Sequence, residues 1–293
     1  MSGGDSPSVE LGLAAPRAAA PVHGLILAGG ASSRMKRDKA ALEYDGKSQL
    51  DRCYALLSRH LAQVHVSVRE SQIRDAARAR YPLIVDAVAG EGPIVGIRSA
   101  MAAHKDAAWL VLACDLPFLT DAALEQLLAE RDPTAFATAF RSAHDGLPEP
   151  LCAVWEPAAA AALAAYQGTG AWCPRKFLMR HAARLLEPRD RRALDNVNTP
   201  EEYDRALLLL ESPPMQLKVQ YYALMREQAG RSEETVETSA VTPGDLYSEL
   251  QARYGFTLSR EQLKVAVNSE FAPWSRRLAA GDAVVFIPPV AGG

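Results

Sequence analysis

Cysteine is scarce: Cys53, Cys114, Cys152 and Cys173 are the four in 293 residues, and no two form a Cys-x-x-Cys pair. That spacing argues against a thiolate zinc site, an iron–sulfur cluster or a disulfide framework, and fits a reducing cytoplasm. The six histidines are dispersed and form no spaced metal motif. No run of about 18 uninterrupted apolar residues occurs, so no membrane span is expected. Residues 1–21 are rich in Ala, Gly, Pro and Ser and lack a basic start followed by an apolar run. They read as a disordered leader and not as a signal peptide. Excess charge of either sign is also missing. A formal net charge of −3 gives no reason to expect nucleic acid or an anionic membrane as a partner.

What is present is alternation. Apolar strand candidates fall at Val22–Ala28, Val64–Val68, Leu83–Val85 and Trp109–Ala113, followed by helical stretches at Ser48–His60, Ile73–Arg80, Ile94–His104 and Asp121–Arg131. Strands alternating with helices imply an α/β domain, Rossmann-like, whose mostly parallel sheet is covered on both faces. Such sheets bind ligands at the carboxyl ends of their strands. An Ala-rich helix is expected at Ala158–Ala165, with Pro157 at its first position. Thr199-Pro200-Glu201-Glu202 has the form of a capping box opening a helix that ends near Glu211, where Ser212-Pro213-Pro214 breaks it. These signals divide the chain into a leader (1–21), a first domain (22–211), a linker (212–215) and a second domain (216–293).

The strand at Val22–Ala28 runs into Gly29-Gly30-Ala31-Ser32-Ser33-Arg34-Met35-Lys36-Arg37-Asp38-Lys39. Small residues after a strand let backbone N–H groups approach an anion, and four cations within six positions repel one another unless a polyphosphate lies among them. The string is neither a Walker loop nor a dinucleotide fingerprint, because the glycine spacings of both are absent. Asp115, in Cys114-Asp115-Leu116-Pro117, ends the strongest strand candidate. It can hold Mg²⁺ at the ligand-binding edge or simply cap the following turn. Asp86 follows Leu83–Val85 and precedes Gly90-Glu91-Gly92-Pro93-Ile94-Val95-Gly96, where a plain turn aspartate is the other reading.

Taken whole, Leu25–Leu42 resembles the signature of nucleotidyltransferases, most closely the molybdenum cofactor guanylyltransferases. By motif order the resemblance covers about residues 22–205. It implies transfer of GMP from GTP to Mo-molybdopterin, with pyrophosphate released and Mg²⁺ as cofactor. The implied nucleotide contacts are Leu27, Ala28, Gly29, Gly30, Lys39, Asp86 and Asp115. Arg34 and Lys39 are the implied catalytic cations, and Asp115 and Asn198 the implied metal ligands. Asp86 takes the place of the family's base-reading aspartate, since a carboxylate accepts both guanine donors. Asn198 belongs to Asp195-Asn196-Val197-Asn198-Thr199, which resembles a late Asn-x-Asn-Thr segment and equally fits a helix start. Glu149-Pro150-Leu151 resembles a loop near the acceptor. Two departures stand out: Lys36 replaces a frequent glycine, and no asparagine occurs near Ser67-Val68-Arg69. They keep open a cytidylyltransferase or a degenerate nucleotide-binding scaffold.

The second domain reads differently. Leu263–Val267 and Ala283–Ile287 are strand candidates around a Gly281-Asp282 turn, and the chain runs out through Pro288-Pro289 to Gly292-Gly293. Two residues without side chains can thread a narrow enzyme channel. Val219–Gly230, with its strand and Leu-Met-Arg-Glu turn, resembles the small sulfur-carrying subunit of molybdopterin synthase, a ubiquitin-like β-grasp protein. The thiamine-pathway sulfur carrier is the second resemblance. The likeness implies a thiocarboxylate on Gly293, an adenylating E1-like activating enzyme, a sulfur donor and the large synthase subunit as partners. Molybdoenzyme or Mo-insertion proteins are expected partners of the first activity. The sequence thus reads as a fusion of two cofactor-assembly proteins.

Overall fold

The computed structural model describes residues 19–29, 35, 37–88, 90–143, 145–212 and 214–289. The first unit begins with β1 (Val22–Leu27), a short hairpin of β2 (Glu43–Tyr44) and β3 (Lys47–Ser48), and α1 (Gln49–Ser58). The hairpin turns on Asp45 and Gly46, at φ of 51° and 69°. A two-residue Asp-Gly turn with positive φ at both positions matches the twist of its strands. β4 (Val64–Val68), β5 (Leu83–Val85), α2 (Pro93–Ala103), β6 (Ala108–Ala113) and α3 (Asp121–Ala129) follow. β7 (Ala137–Arg141), β8 (Pro148–Trp155), α4 (Ala159–Gly168), α5 (Pro174–Arg180), β9 (Ala183–Leu186) and α6 (Pro200–Glu211) complete this unit.

Its seven strands order as β5-β4-β1-β6-β8-β7-β9. All neighbours pair in parallel except those of β8, which runs antiparallel to both β6 and β7. The sheet is mostly parallel, as its strand–helix alternation implies. Side chains alternate between its faces. Ile26, Leu110 and Leu112 join Leu50, Leu57, Leu124 and Leu127 of α1 and α3 in one core. Leu25, Trp109 and Val111 pack on the other face with Ile94, Ile97 and Met101 of α2, Leu163 of α4 and Phe177 of α5. Burial on both faces explains why β6 reads as an unbroken apolar run.

Three local expectations are corrected. Residues 73–80 form successive turns and no helix. Ile73 there is 39% exposed, so the segment presents no apolar stripe to a core. Glu149-Pro150-Leu151 lies within β8 and is not a loop. The prolines hid the strand; Pro150 is accommodated where the β7–β8 register shifts between Ala139 and Phe140, a bulge that needs no N–H from it. Pro157 precedes the cap of α4, Ala158, by one residue and does not occupy the first helical position.

The second unit comprises β10 (Met215–Tyr221), α7 (Ala223–Ala229), β11 (Glu233–Thr238), α8 (Pro243–Tyr254), β12 (Lys264–Val267), β13 (Glu270–Ala272) and β14 (Ala283–Ile287). The stretch read as a turn after β10 is the short helix α7, closed by Gly230 in the left-handed region at φ 68°. The sheet order is β11-β10-β14-β12-β13, with β10 and β14 parallel at its centre and the other pairs antiparallel. Leu246, Tyr247 and Leu250 of α8 pack on Leu217, Val219, Val265, Val284 and Phe286. One helix grasped by this mixed sheet is the β-grasp arrangement. Among the described residues no helix is long and apolar enough to cross a membrane.

Candidate nucleotide-binding and transfer site

Parallel pairing brings the carboxyl ends of β4, β1 and β6 to one edge: Leu27 stands opposite Ser67 on one side and Ala113 on the other. Val68 pairs with Val85, so Asp86 emerges at that same edge. A cleft of about 1020 Å³ lies over it. Leu27, Ala28, Gly29, Lys39, Asp86, Asp115 and Asn198, scattered through the sequence, all line this cleft. Gly30, Arg34 and Lys36 of the first loop, and Gly293 of the tail, lie outside the described residues.

Three of these side chains meet directly. Lys39 is carried by a short 3₁₀ turn, Lys39–Ala41, whose cap Asp38 accepts from the Ala40 N–H at 3.0 Å. Its Nζ donates to Asp115 Oδ2 at 3.0 Å and to Asn198 Oδ1 at 2.5 Å, joining residues 76 and 159 positions apart. The Lys39 and Asp115 side chains are about one-fifth exposed, at 21% and 22%, so their attraction is only partly screened by water. Asp115 therefore pairs across the cleft and does not cap the start of α3.

Asn198 serves both readings of its segment. Its backbone N–H donates to Glu202 Oε2 at 2.6 Å, as does that of Thr199 at 3.1 Å, while Thr199 Oγ1 accepts from the Glu202 N–H at 3.2 Å. This is the capping box expected from the sequence. The side chain of Asn198 is left free to reach Lys39. The Val197 N–H, donating to the Asp115 carbonyl at 2.9 Å, ties the segment to the end of β6.

Asp86 sits on the other flank of the cleft. Its Oδ1 accepts from Ser67 Oγ at 3.1 Å. Burial pushes its pKa above the usual aspartate value, opposed by the Ser67 hydrogen bond and the nearby Arg69. The adjoining loop needs its glycines. Gly92 caps α2 at φ 76°, with Pro93 at the first helical position. A Cβ on Gly90 would fall 1.9 Å from the Trp172 ring, and one on Gly96 2.4 Å from Ser67 Oγ.

Two contributors escaped the sequence motifs. Ser67 stands in the asparagine-less stretch and orients Asp86. Arg78 is buried and holds Ala28 and Asp38; nothing in its own sequence neighbourhood marks it. Glu149, in β8, is paired with Arg175 at 2.6 Å, while its neighbour Leu151 lines the cleft.

Hard oxygen donors and an ammonium gather over the carboxyl ends of parallel strands, the ligand-binding edge of an α/β domain with the nucleotidyltransferase fold. The chain belongs to the MobA-like NTP transferase domain family, whose pattern matches residues 24–185. Residues 219–293 match the ThiS family. A molybdenum cofactor biosynthesis bifunctional protein of Synechocystis is 34% identical over 183 residues, covering 62% of this chain and 53% of the relative. The chain thus spans about half the length of that relative. A molybdenum cofactor guanylyltransferase of Xanthomonas euvesicatoria is 31% identical over 198 residues, covering 66% of this chain and 97% of the relative. Among solved structures, molybdopterin-guanine dinucleotide biosynthesis protein A of Archaeoglobus fulgidus superposes with a TM-score of 0.51 at 23% identity. It covers 63% of this chain and 96% of its own, a likeness of fold.

Proposed function

We propose that the first unit transfers GMP from GTP to the phosphate of Mo-molybdopterin, releasing pyrophosphate, and that the second carries sulfur as a thiocarboxylate on Gly293. The observation that carries the transferase half is the meeting of Lys39, Asp115 and Asn198 opposite Asp86 across one cleft. Membership of the MobA-like family and the guanylyltransferase relatives support the reaction. The ThiS match running to Gly293 supports the carrier. In this reading the two activities divide at residues 212–215.

The acceptor phosphate oxygen attacks the α-phosphorus in line, and the bond to the pyrophosphate oxygen breaks. The chain's own work is positioning and charge neutralisation. Backbone from Leu27 to Gly30 holds the nucleotide, and Asp86 accepts the two donors on the guanine edge. Arg34 and Lys39 neutralise phosphate oxygens. Asp115 and Asn198 offer the oxygen donors that Mg²⁺ prefers, and they already hold a cation, the Lys39 ammonium. Among the described residues no cluster of three or more acidic, His or Cys side chains could cage a metal. Mg²⁺ takes few protein ligands and completes its shell with phosphates and water. When bound, it supplies electrostatic stabilisation of the phosphates. The carrier half needs an activating enzyme to adenylate the Gly293 carboxylate, a sulfur donor, and the large synthase subunit to receive the sulfur.

The test is pyrophosphate release by the full chain with Mg²⁺, Mo-molybdopterin and either GTP or CTP. Release with GTP alone is expected. Equal rates with CTP would remove the guanylyl assignment, and no release with either nucleotide would leave the first unit a binding scaffold.

A further inference from the structure

We infer that Arg78 is a positioning residue for the nucleotide: its buried guanidinium bridges Ala28 and Asp38 and, by fixing the Ala28 carbonyl, aims the Gly29 N–H into the cleft. This rests on the nucleotidyltransferase reading above.

The side chain of Arg78 is only 3% exposed, although nothing in residues 73–80 forms a core. Its Nε and Nη2 both donate to the Ala28 carbonyl, at 3.1 and 2.8 Å. Nη2 also donates to Asp38 Oδ2 at 2.6 Å, and Nη1 to Asp75 Oδ1 at 3.1 Å. One planar fork thus spans the entry and the exit of the loop that follows β1. A guanidinium buried without partners is strongly destabilising, so the two carboxylates are what make the burial tolerable. They hold the charge; the bond to Ala28 uses it.

The consequence lies in one peptide unit. The carbonyl of Ala28 and the N–H of Gly29 belong to the same planar group and point in opposite directions. Fixing that carbonyl toward Arg78 fixes the N–H of Gly29 away from it. Gly29 lines the cleft, and among the described residues its N–H has no acceptor. An unpaired backbone donor at a strand end, held in place before the ligand arrives, is a ready partner for an anionic oxygen of a nucleotide. Lysine at position 78 could reach one acceptor, but it cannot fork across Ala28, Asp38 and Asp75 together.

The test compares the full wild-type chain with Arg78→Lys and Arg78→Met. GTP affinity is measured by calorimetry, KM and kcat by pyrophosphate release, and the thermal midpoint alongside. Both variants should bind GTP at least about tenfold more weakly, the loss of one hydrogen bond to a charged group. Arg78→Lys should do so with a thermal midpoint close to wild type, because it retains a cation between Asp38 and Asp75. Guanidinium added to a further variant, Arg78→Ala, should restore GTP affinity in a saturable way, and ammonium should not. A purely structural arginine would lower the midpoint and the active fraction while leaving KM unchanged. If folded Arg78→Lys, or Arg78→Met where it folds, keeps wild-type affinity and KM, the inference is overturned. A wild-type chain that binds no GTP removes the parent reading instead, a result distinct from any behaviour of the variants.

Discussion

Lys39 occupies the two oxygens that a divalent cation would use, and this has a testable consequence at the scale of the residue. In nucleotide-free protein a metal must displace an ammonium from Asp115 and Asn198. In the proposed function a bound polyphosphate gives that ammonium another partner and frees the oxygens. Lys39→Met should therefore slow transfer about a hundredfold, the loss of roughly 3 kcal/mol of charge-assisted stabilisation. It should also tighten Mn²⁺ binding by the nucleotide-free chain, read by electron paramagnetic resonance. Asp115→Asn should abolish transfer and weaken Mn²⁺ together, with the fold intact. Mn²⁺ affinity that falls in Lys39→Met would show that the lysine does not compete for those oxygens. Asp86 offers a second residue-scale prediction, with its sign fixed by burial. Its folded pKa is raised, so the ionised carboxylate costs stability above that pKa, and the cost is relieved as pH falls through it. In the proposed function, guanine recognition by Asp86 needs the ionised form. GTP affinity should thus decline on acidification while the pH is still above the ordinary aspartate range. Asp86→Asn should bind GTP weakly at every pH, yet have a nucleotide-free thermal midpoint no lower than wild type. A wild-type affinity flat down to the ordinary aspartate range would count against a buried, base-reading Asp86.

At the scale of the element, what the sequence revealed followed burial. β1, β4 and β6 are apolar runs because both faces of the sheet are covered, and the box at Thr199 is a local hydrogen-bond pattern that needs no tertiary partner. β7 and β9 were not anticipated: Thr and Arg break up any apolar run in Ala-Thr-Ala-Phe-Arg and Ala-Arg-Leu-Leu. β8 was hidden by Pro148 and Pro150, tolerated through a register shift that no local pattern announces. The candidate site was legible where small residues and charges mark a strand end. Arg78 was not, since its role arises from contacts with Ala28 and Asp38, 50 and 40 positions away in sequence. Gly96 illustrates how an element positions the site. α2 begins so close to β1 and β4 that a Cβ there would fall 2.4 Å from Ser67 Oγ and 2.8 Å from Leu27 Cδ2. Gly96→Ala should cost about 1–3 kcal/mol through overpacking, seen as a drop of several degrees in thermal midpoint. Because Ser67 must shift off Asp86, GTP affinity should fall as well. A destabilised variant with unchanged GTP affinity would separate packing from base recognition.

At the scale of the whole molecule, two units touch without sharing a sheet. Arg205 of α6 pairs with Asp245 of α8, an aspartate 3% exposed that also closes the capping box of its own helix. A second cleft of about 1140 Å³ runs between these helices. Any change confined to the far end of the second unit should therefore leave the first working. β14 is held by β10 as far as Phe286 and by β12 as far as Ile287, and in the sequence Pro288-Pro289 and the Gly-Gly pair come after it. Deleting Gly292-Gly293 leaves every ladder bond of the described residues in place. It should abolish thiocarboxylate formation while thermal unfolding and pyrophosphate release stay at wild-type values. Appending residues after Gly293 should do the same, because the carboxylate to be adenylated is then an amide. Mass spectrometry after incubation with ATP, a sulfur donor and the activating enzyme should show one oxygen exchanged for sulfur at Gly293 of the intact chain. A thiocarboxylate needs no nearby thiol, and the four cysteines all lie before the second unit. An unmodified Gly293, under conditions that load another carrier in the same tube, would remove the sulfur-carrying half of the proposal and leave the nucleotidyl transfer to stand on its own test.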